Sequence, residues 1–409
     1  MIEQKVTFTQ PKEKPGRLRL IIIIGALSAF GPLSIDMYLP GLPSLSKDLG
    51  GADWQVQLTL TACLLGLASG QILAGPLSDA RGRYRPLLVG LLIYSLASLA
   101  CALAPNIFVL ILTRVLQGAA GSAGIVIARA MVRDMFSGDE VARFFAMTMA
   151  INGLAPILAP ILGGQLLNFT SWRGIFIVLT AIGIVLFFTA ALGLKETLPL
   201  ENRHTGGILT TIGIFRKLLS DRIFIGYALS SGLAFGGMFA YIAGSPFVLE
   251  GIFGLSPQMF SLIFALNALG IVITSQISGR LVGKVKPRKL LGLGLNSALI
   301  GGLLLALVIV TNIGLGGVLP ALFLVVASIG LIAPNATALA MAENAKIAGS
   351  ASALIGVTQY IIGGLVTPLV SIGGSQTDLP WSLVIVVLVI LANITFIIMT
   401  RPHPERIEN

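Results

Sequence analysis

Two ionisable side chains lie within strongly apolar stretches of the sequence. Asp36 belongs to LSIDMYLPGLP, residues 33–43, and Arg114 belongs to LTRVLQGAAG, residues 112–121. A charge at bilayer depth is costly when alone, so such residues mark proton or substrate pathways by default. A carboxylate there can carry a proton, and a nearby arginine makes its protonation sensitive to water access and conformation. We therefore predict that Asp36 is a proton carrier paired with Arg114.

Both residues also have a structural alternative. Asp36 stands four residues before Pro40, so it can be a helix-end residue that an outer vestibule wets. Arg114 can be a fixed anchor that donates hydrogen bonds to backbone carbonyls. The prediction of a pair stays open beside these two readings.

The elements that must position these residues are membrane-spanning helices. The 409-residue chain is 55% hydrophobic and only 11% charged, whereas soluble proteins carry about a quarter charged residues. Apolar segments of about 20 residues, the length that crosses a bilayer, recur throughout. The sequence thus predicts an all-α polytopic membrane protein with twelve spans, at residues 18–39, 55–78, 86–104, 107–132, 140–167, 172–194, 222–248, 257–279, 288–311, 315–341, 346–373 and 379–400.

Basic residues orient these spans. Apart from Lys47, Arg114 and Arg173, every lysine and arginine falls on one side of the predicted membrane. The positive-inside rule makes that side cytoplasmic. We therefore predict a multi-pass protein of the cell inner membrane with both termini in the cytoplasm. Anionic lipid then accounts for the net charge of +10, and no nucleic-acid partner is expected.

A repeat divides the chain into two halves. GPLSDARGRYRPLL, residues 75–88, follows the second span, and GRLVGKVKPRKLLG, residues 279–292, follows the eighth. Two parallel repeats about a central cavity are a common transporter architecture. We predict six-helix bundles at residues 1–194 and 222–409, related by pseudo-two-fold symmetry, and a cytoplasmic tether at residues 195–221.

Several motifs are absent from the sequence. It contains no GxxxxGK[ST] phosphate loop, HExxH or GxSxG. Cys63 and Cys101 both fall inside spans, so no disulfide or metal site is indicated. The first apolar segment lacks a clear cleavage site and is expected to be a span rather than a signal peptide. We expect no cofactor other than protons, no enzymatic activity and a monomer.

The turn after the second span has the composition of a conformational latch. Asp79 lies among arginines that can pair with it, and glycines there permit a tight reversal. An ordinary solvated turn is the alternative. The predicted latch comprises Gly75, Asp79, Gly82, Arg83, Arg129 and Arg133.

The fifth span carries small residues and prolines at helical spacing, namely Pro156, Pro160, Gly163 and Gly164. Small faces let helices approach closely, and the neighbours of a kinked helix satisfy its freed carbonyls. Plain tight packing is an equally compatible interpretation.

Polar and aromatic residues on the expected lining helices are candidates for the cavity wall. A mostly apolar cavity with few polar groups suits moderately hydrophobic compounds. The predicted substrate-binding residues are Tyr38, Gln117, Asn152, Phe239, Tyr241, Asn267, Asn335, Gln359 and Tyr360. Glu250 is expected to be solvated at the outer end of the seventh span.

These motifs carry a resemblance. GPLSDARGR resembles the signature of the major facilitator superfamily between helices two and three, RVLQGAAGSA its helix-four motif, and APILAPILGG the helix-five motif of drug–proton antiporters. Together with LSIDMYLPGLP, WRGIF and KETL, they make the chain similar to the bicyclomycin and chloramphenicol resistance (Bcr/CflA) branch. Ala80 departs from the pattern at a usually basic position, as do Ala146, Ala155 and Ala159 at usual glycines, and Gly283 replaces the acid in the second repeat.

The resemblance implies proton-coupled export of small, moderately hydrophobic drugs by alternating access. A proton-coupled uptake carrier or facilitator shares every feature except the helix-five motif. A membrane-embedded enzyme would need convergent catalytic groups, which the sequence does not offer. A passive structural or receptor role leaves the intramembrane charges unexplained.

Overall fold

The computed structural model describes residues 17–136, 139–203, 207–342, 344, 347–371 and 377–400. These residues form fifteen α-helices and no strand. A π-helical segment, Phe247–Ile252, extends α10. The helices are α1 Arg17–Ser28, α2 Phe30–Asp36, α3 Leu42–Leu49, α4 Asp53–Arg81, α5 Tyr84–Ala102, α6 Ile107–Met135, α7 Asp139–Leu166, α8 Trp172–Gly193, α9 Gly207–Ser220, α10 Arg222–Pro246, α11 Pro257–Leu281, α12 Pro287–Val310, α13 Leu315–Ala342, α14 Ala348–Val366 and α15 Leu379–Met399.

Most of these helices are long and apolar enough to cross a membrane. Ten qualify singly within the described residues, and the bent path from Arg19 to Leu49 qualifies as one further span. The apolar part of α7, Gly153–Leu166, supplies the remaining segment. The prediction of an all-α membrane protein with twelve spans is therefore confirmed.

The first span is longer and more broken than the sequence indicated. Its axis bends by 43° after Ser28, and helical structure continues to Leu49 rather than ending near residue 39. Pro40 has no N–H, so it cannot bond the carbonyl of Asp36, and α2 ends at that residue. Since Leu49 lies thirteen residues further on, Asp36 is up to roughly 20 Å from the end of the bent span and not at that end.

The predicted tether contains a helix of its own. Helix α9 contacts α4 of the first half together with α10 and α14 of the second. Leu218 is buried, whereas Arg216, Lys217 and Leu219 are exposed. The linker is therefore amphipathic in its described part and touches both halves.

Small residues bring α4 and α6 into close contact. A Cβ atom on Gly118 would overlap the Cys63 carbonyl, and one on Gly66 would overlap the Val115 carbonyl. Such close approach is how helices associate in lipid, where apolar burial between helices contributes little. This contact holds the first half together.

The bundle has two ends. We call the end that carries the Arg83 turn the basic end and the end that carries Trp172 the Trp172 end. Four side-chain hydrogen bonds join the halves within the described structure, all toward the Trp172 end. They run from Gln57 to the Ala243 carbonyl (3.2 Å), from Thr61 to the Gly364 carbonyl (2.8 Å), and from Gln258 to the Gly164 carbonyl and the Asn168 side chain (2.9 Å each). In this conformation the halves are therefore fastened at the Trp172 end.

We expect Gly118→Ala to lower the free energy of unfolding by about 1–3 kcal/mol, because its methyl group overpacks the contact with α4. Gly279→Ala is the matched control: nothing lies within 4 Å of a Cβ there, and alanine favours a helix by up to about 1 kcal/mol. Thermal unfolding in detergent compares the two. Equal midpoints for both variants would contradict the close α4–α6 contact.

Candidate transport site

Asp36 ends α2 and is almost fully enclosed, with 6% of its surface exposed. No hydrogen bond or ion pair to its carboxylate is found among the described residues. The segment that follows Asp36, Leu39–Gly41, contacts α10 and α11 of the second half, and the Tyr360 hydroxyl of α14 approaches Gly31, which belongs to the same helix as Asp36. Asp36 therefore lies beside the opposite half of the molecule.

Arg114 is fully buried within the first half. One terminal nitrogen, Nη1, donates to the Ser34 carbonyl (2.8 Å) and to Oε1 of Gln117 (2.6 Å), and Nε donates to the Thr59 carbonyl (3.3 Å). The guanidinium also lies 4.4 Å from the centre of the Tyr38 ring. Arg114 thus fastens α2, α4 and α6 together, as the anchor reading of the sequence describes.

The predicted pair of Asp36 with Arg114 is not formed, and helix geometry gives the reason. Residues two apart on a helix point about 200° apart. Because the Ser34 side of α2 is turned toward Arg114 and Tyr94, whose hydroxyl lies 2.8 Å from Ser34 Oγ, Asp36 points away from Arg114. The sequence places both charges within apolar spans, but it does not determine this rotation of α2.

Two aromatic groups of the second half pack on different sides of α10. The rings of Phe239 and Tyr360 are 6.2 Å apart, and the Tyr360 hydroxyl approaches Gly31 of α2. Tyr241 stacks on Phe264 at 5.4 Å and accepts a hydrogen bond from Asn267 at 2.9 Å. Of the predicted cavity residues, Phe239 and Tyr360 therefore pack together between α10 and α14, and Tyr241 packs against α11.

The other predicted cavity residues lie within one half. Tyr38 and Gln117 are fully buried; the Tyr38 hydroxyl lies 2.9 Å from Thr59 Oγ1, and Gln117 donates to Ser98. Buried Asn335 donates to Ser278, and half-buried Gln359 donates to Ser231. Each of these residues, like Asn267, forms a hydrogen bond with a residue of its own half. The Asn152 side chain lies outside the described residues.

The glycines of α7 bring Asp36 and the second half together. A Cβ atom on Gly163 would overlap the carbonyl of Met37, the residue after Asp36. One on Gly164 would overlap Ser261 of α11. Pro160 and Pro156 lie one and two helical turns, respectively, before this pair, inside α7. The small residues therefore let α7 touch the Asp36 turn on one side and the opposite half on the other.

Arg83 is the centre of the cluster at the basic end. Its guanidinium pairs with Asp79 and donates to Asp134 at 2.9 Å and to Ser78 at 2.8 Å. Burial opposes the charge of Arg83, but the hydrogen bonds and charges of Asp134 and Asp79 outweigh burial and raise the pKa of Arg83. The predicted grouping of Asp79 with Arg83 is present.

The rest of the predicted latch differs from the structure. Arg133 and Arg129 are exposed on α6 and form no ion pair with Asp79. Asp134 is the residue of α6 that faces Arg83, so Arg133 is turned about 100° away. Gly75 lies inside α4 with room for a side chain, since the nearest atom to an added Cβ is 3.9 Å away. Only Gly82 needs its conformational freedom, with a φ of +88°.

Glu196 of the KETL segment fastens the linker to this turn. Its carboxylate accepts hydrogen bonds from the backbone N–H groups of Arg83 (2.8 Å), Leu198 (3.0 Å) and Tyr84 (3.3 Å), and it pairs with Arg203 at 3.6 Å. Partial burial opposes ionisation, but these N–H groups and Arg203 outweigh it and lower the pKa of Glu196. The latch is thus a contact between the Arg83 turn and the linker.

Several functional candidates were not predicted from the sequence. Gln57 and Thr61, which bond the opposite half, stand four residues apart on α4, and this polar i, i+4 spacing in an apolar span was the available signal. Asp134 and Glu196 had no periodicity that would single them out. Glu250 was expected in solvent, yet its Oε1 is buried without a hydrogen-bond partner among the described residues.

Comparison with known proteins agrees with this architecture. The sequence model of the Major Facilitator Superfamily matches residues 23–368. The uncharacterized MFS-type transporter YdgK of Bacillus subtilis (strain 168) is 43% identical over 387 residues, 94% of this chain and 96% of that protein. The bicyclomycin resistance protein homolog of Haemophilus influenzae is 28% identical over 400 residues, 98% of each chain. The inward-facing, unoccupied structure of a bacterial homolog of the human lysosomal transporter Spinster superimposes with a TM-score of 0.72 at 16% identity, covering 96% of this chain and all of that one.

We expect Asp36→Asn to leave the thermal unfolding midpoint in detergent nearly unchanged, because no ion pair is lost. Breaking a buried pair would instead cost about 3–5 kcal/mol. Arg114→Lys should lower the midpoint clearly, since the donors of an ammonium group radiate from one atom and cannot reach all the oxygens that Arg114 reaches from Nε and Nη1, and each oxygen left bare costs about 1–3 kcal/mol. A large loss of stability in Asp36→Asn would indicate that Asp36 does form an ion pair and would contradict this geometry.

Proposed function

The chain belongs to the major facilitator superfamily of transporters, and on that premise we propose that it exports small, moderately hydrophobic drugs in exchange for protons. It is a multi-pass membrane protein and not an enzyme. The observation that carries the proposal is the position of Asp36, a buried carboxylate without an ion pair among the described residues, beside α10, α11 and Tyr360 of the opposite half. The resemblance to the Bcr/CflA branch and the bicyclomycin-resistance name of one relative support a drug as the substrate.

The Asp36 carboxylate supplies the coupling step. A proton arriving from outside neutralises Asp36, which removes a charge from the interface between the halves and favours release of the drug. The proton leaves toward the cytoplasm, and the restored charge permits a new drug to bind. Because any ligand shifts an equilibrium only by its different affinity for the two states, proton and drug must favour opposite states for this exchange.

Phe239, Tyr241 and Tyr360 are the proposed drug-contacting residues. Their rings give a moderately apolar surface, and the two phenol groups supply a small number of polar contacts near Asp36. Arg114 acts as a positioning residue, because its bond to the Ser34 carbonyl holds α2 in place while the Ser34–Tyr94 contact turns Asp36 away from the first half. The drug therefore lies between the halves rather than within one.

The two six-helix halves, residues 1–194 and 222–409, are the proposed moving bodies, joined by residues 195–221. We propose that the basic end and both termini are cytoplasmic in the cell inner membrane, as the positive-inside rule indicates. The hydrogen bonds at the Trp172 end then close the outer side, and the described conformation faces inward. The working unit is proposed to be a monomer in lipid, with no cofactor beyond protons and no nucleic-acid partner.

Drug accumulation in inverted membrane vesicles, driven by a pH gradient, tests this function. We expect the wild type to accumulate chloramphenicol or a sulfonamide while consuming the gradient, and Asp36→Asn to do neither. Glu201→Gln is the matched control, because this exposed linker carboxylate has no role in the proposed mechanism.

The same assay separates the alternatives. Proton-driven movement of the compound in the opposite direction would identify an uptake carrier, and movement without proton flux would identify a facilitator. Normal coupled export by Asp36→Asn would refute the assigned role of Asp36.

A further inference from the structure

A cavity opens at the Trp172 end of the bundle. Its volume is about 870 Å³, within the range of about 300–1,000 Å³ that small-molecule sites occupy. Its wall combines polar and charged side chains with apolar ones, and the apolar residues Pro40, Leu167, Phe247 and Leu255 come from both halves of the chain. Asp36, Tyr241 and Tyr360 do not line this cavity.

Glu250 supplies a carboxyl group to this cavity. The residue lines the wall and belongs to the π-helical segment that extends α10. Such segments are rare and occur frequently at functional sites. Glu250 is half-buried, and its Oε1 has no hydrogen-bond donor in the part of the chain that the structure describes. An acceptor without a donor costs free energy, which a ligand that contacts this carboxyl group and supplies a partner would recover.

The other charged residues of the wall either have a bonding partner already or carry a positive charge. Asp48 accepts a hydrogen bond from Trp172 Nε1 (3.0 Å) and pairs with Arg173 (3.6 Å). Asp53 accepts a hydrogen bond from Ser46 (3.0 Å). Lys47 is an exposed cation at the end of α3. Glu250 is thus the one lining carboxylate without a partner among the described residues.

From this arrangement we propose that the cavity is a second ligand site, specific for organic cations of drug size, with Glu250 as the counter-ion. A wall that combines apolar side chains from both halves with one carboxyl group unpaired among the described residues matches a cation whose charge is surrounded by hydrocarbon or aromatic groups. A neutral compound would leave the carboxylate unsatisfied and bind weakly. This proposal depends on the proposed function only in placing the cavity on the outer side of the membrane.

Protection of a cysteine from the outside tests the proposal in intact cells. Ser44 is exposed and lines the cavity, whereas the native Cys63 and Cys101 are buried, so Ser44→Cys introduces one reactive thiol. A membrane-impermeant maleimide is applied in mildly alkaline buffer, which ionises even a half-buried carboxyl group. The probe is tetraphenylphosphonium, a permanent organic cation, and the labelling rate is measured against its concentration.

We expect tetraphenylphosphonium to slow labelling and chloramphenicol, which is neutral, to have no effect. Adding Glu250→Gln should raise the protecting concentration about tenfold or more, as expected for loss of a contact to a charged group. Asp53→Asn, on the same wall but already bonded to Ser46, should change it by less than about threefold. Lys47→Gln should lower it, because a like charge is removed.

Three outcomes would overturn the proposal. These are a lack of protection by the cation, equal protection in Glu250→Gln, and labelling of Ser44→Cys only in inverted vesicles. Adding Asp36→Asn separates this site from the proposed export mechanism. Protection that persists in Asp36→Asn supports an independent outer site even if proton-coupled export fails. Protection that disappears with Asp36 assigns the cation to the central site and overturns the second one.

Discussion

Two hydrogen bonds hold α2 against the first half, and the candidate site depends on the orientation they give it: Arg114 donates to the Ser34 carbonyl, and the Ser34 and Tyr94 hydroxyl groups lie 2.8 Å apart. A guanidinium buried in the membrane needs acceptors, and two backbone carbonyls and a glutamine accept from Nε and Nη1 of Arg114. Because Asp36 follows Ser34 by two residues, the Ser34–Tyr94 contact turns the Asp36 side chain away from Arg114. A fixed positive charge inside one half thus leaves the acidic group free to respond to events between the halves.

The interface that Asp36 faces is built from small residues as much as from polar ones. Gly163 meets the turn after Asp36 and Gly164 meets α11, so α7 transmits the position of one half to the other. The described hydrogen bonds between the halves lie toward the Trp172 end, while Glu196 joins the linker to the Arg83 turn at the basic end. The proposed movement of the halves would therefore have to break the contacts at the Trp172 end, while the linker contact lies at the other end.

The sequence predicted the fold well, because the length and apolarity of each span are properties of the span alone. It did not predict which way each span is rotated. The spans are apolar all round, so periodicity does not distinguish a residue facing the cavity from one facing its own half. Tyr38 and Gln117 were therefore assigned to the cavity although both are buried beside Arg114, and Arg133 was assigned to a latch that Asp134 forms. Asp36 and Arg114 were found as charges in apolar surroundings, but their lack of contact follows from tertiary structure.

The central claim is that the proton carried by Asp36 and the drug exclude each other, and the pH dependence of drug binding to purified protein tests it most directly. Linkage requires the dissociation constant to change by up to about tenfold per pH unit for each proton exchanged. The account predicts that wild-type protein binds the drug more weakly as the pH falls and that Asp36→Asn binds it with an affinity independent of pH. An equal pH dependence in both proteins would contradict the account and assign the proton to another group.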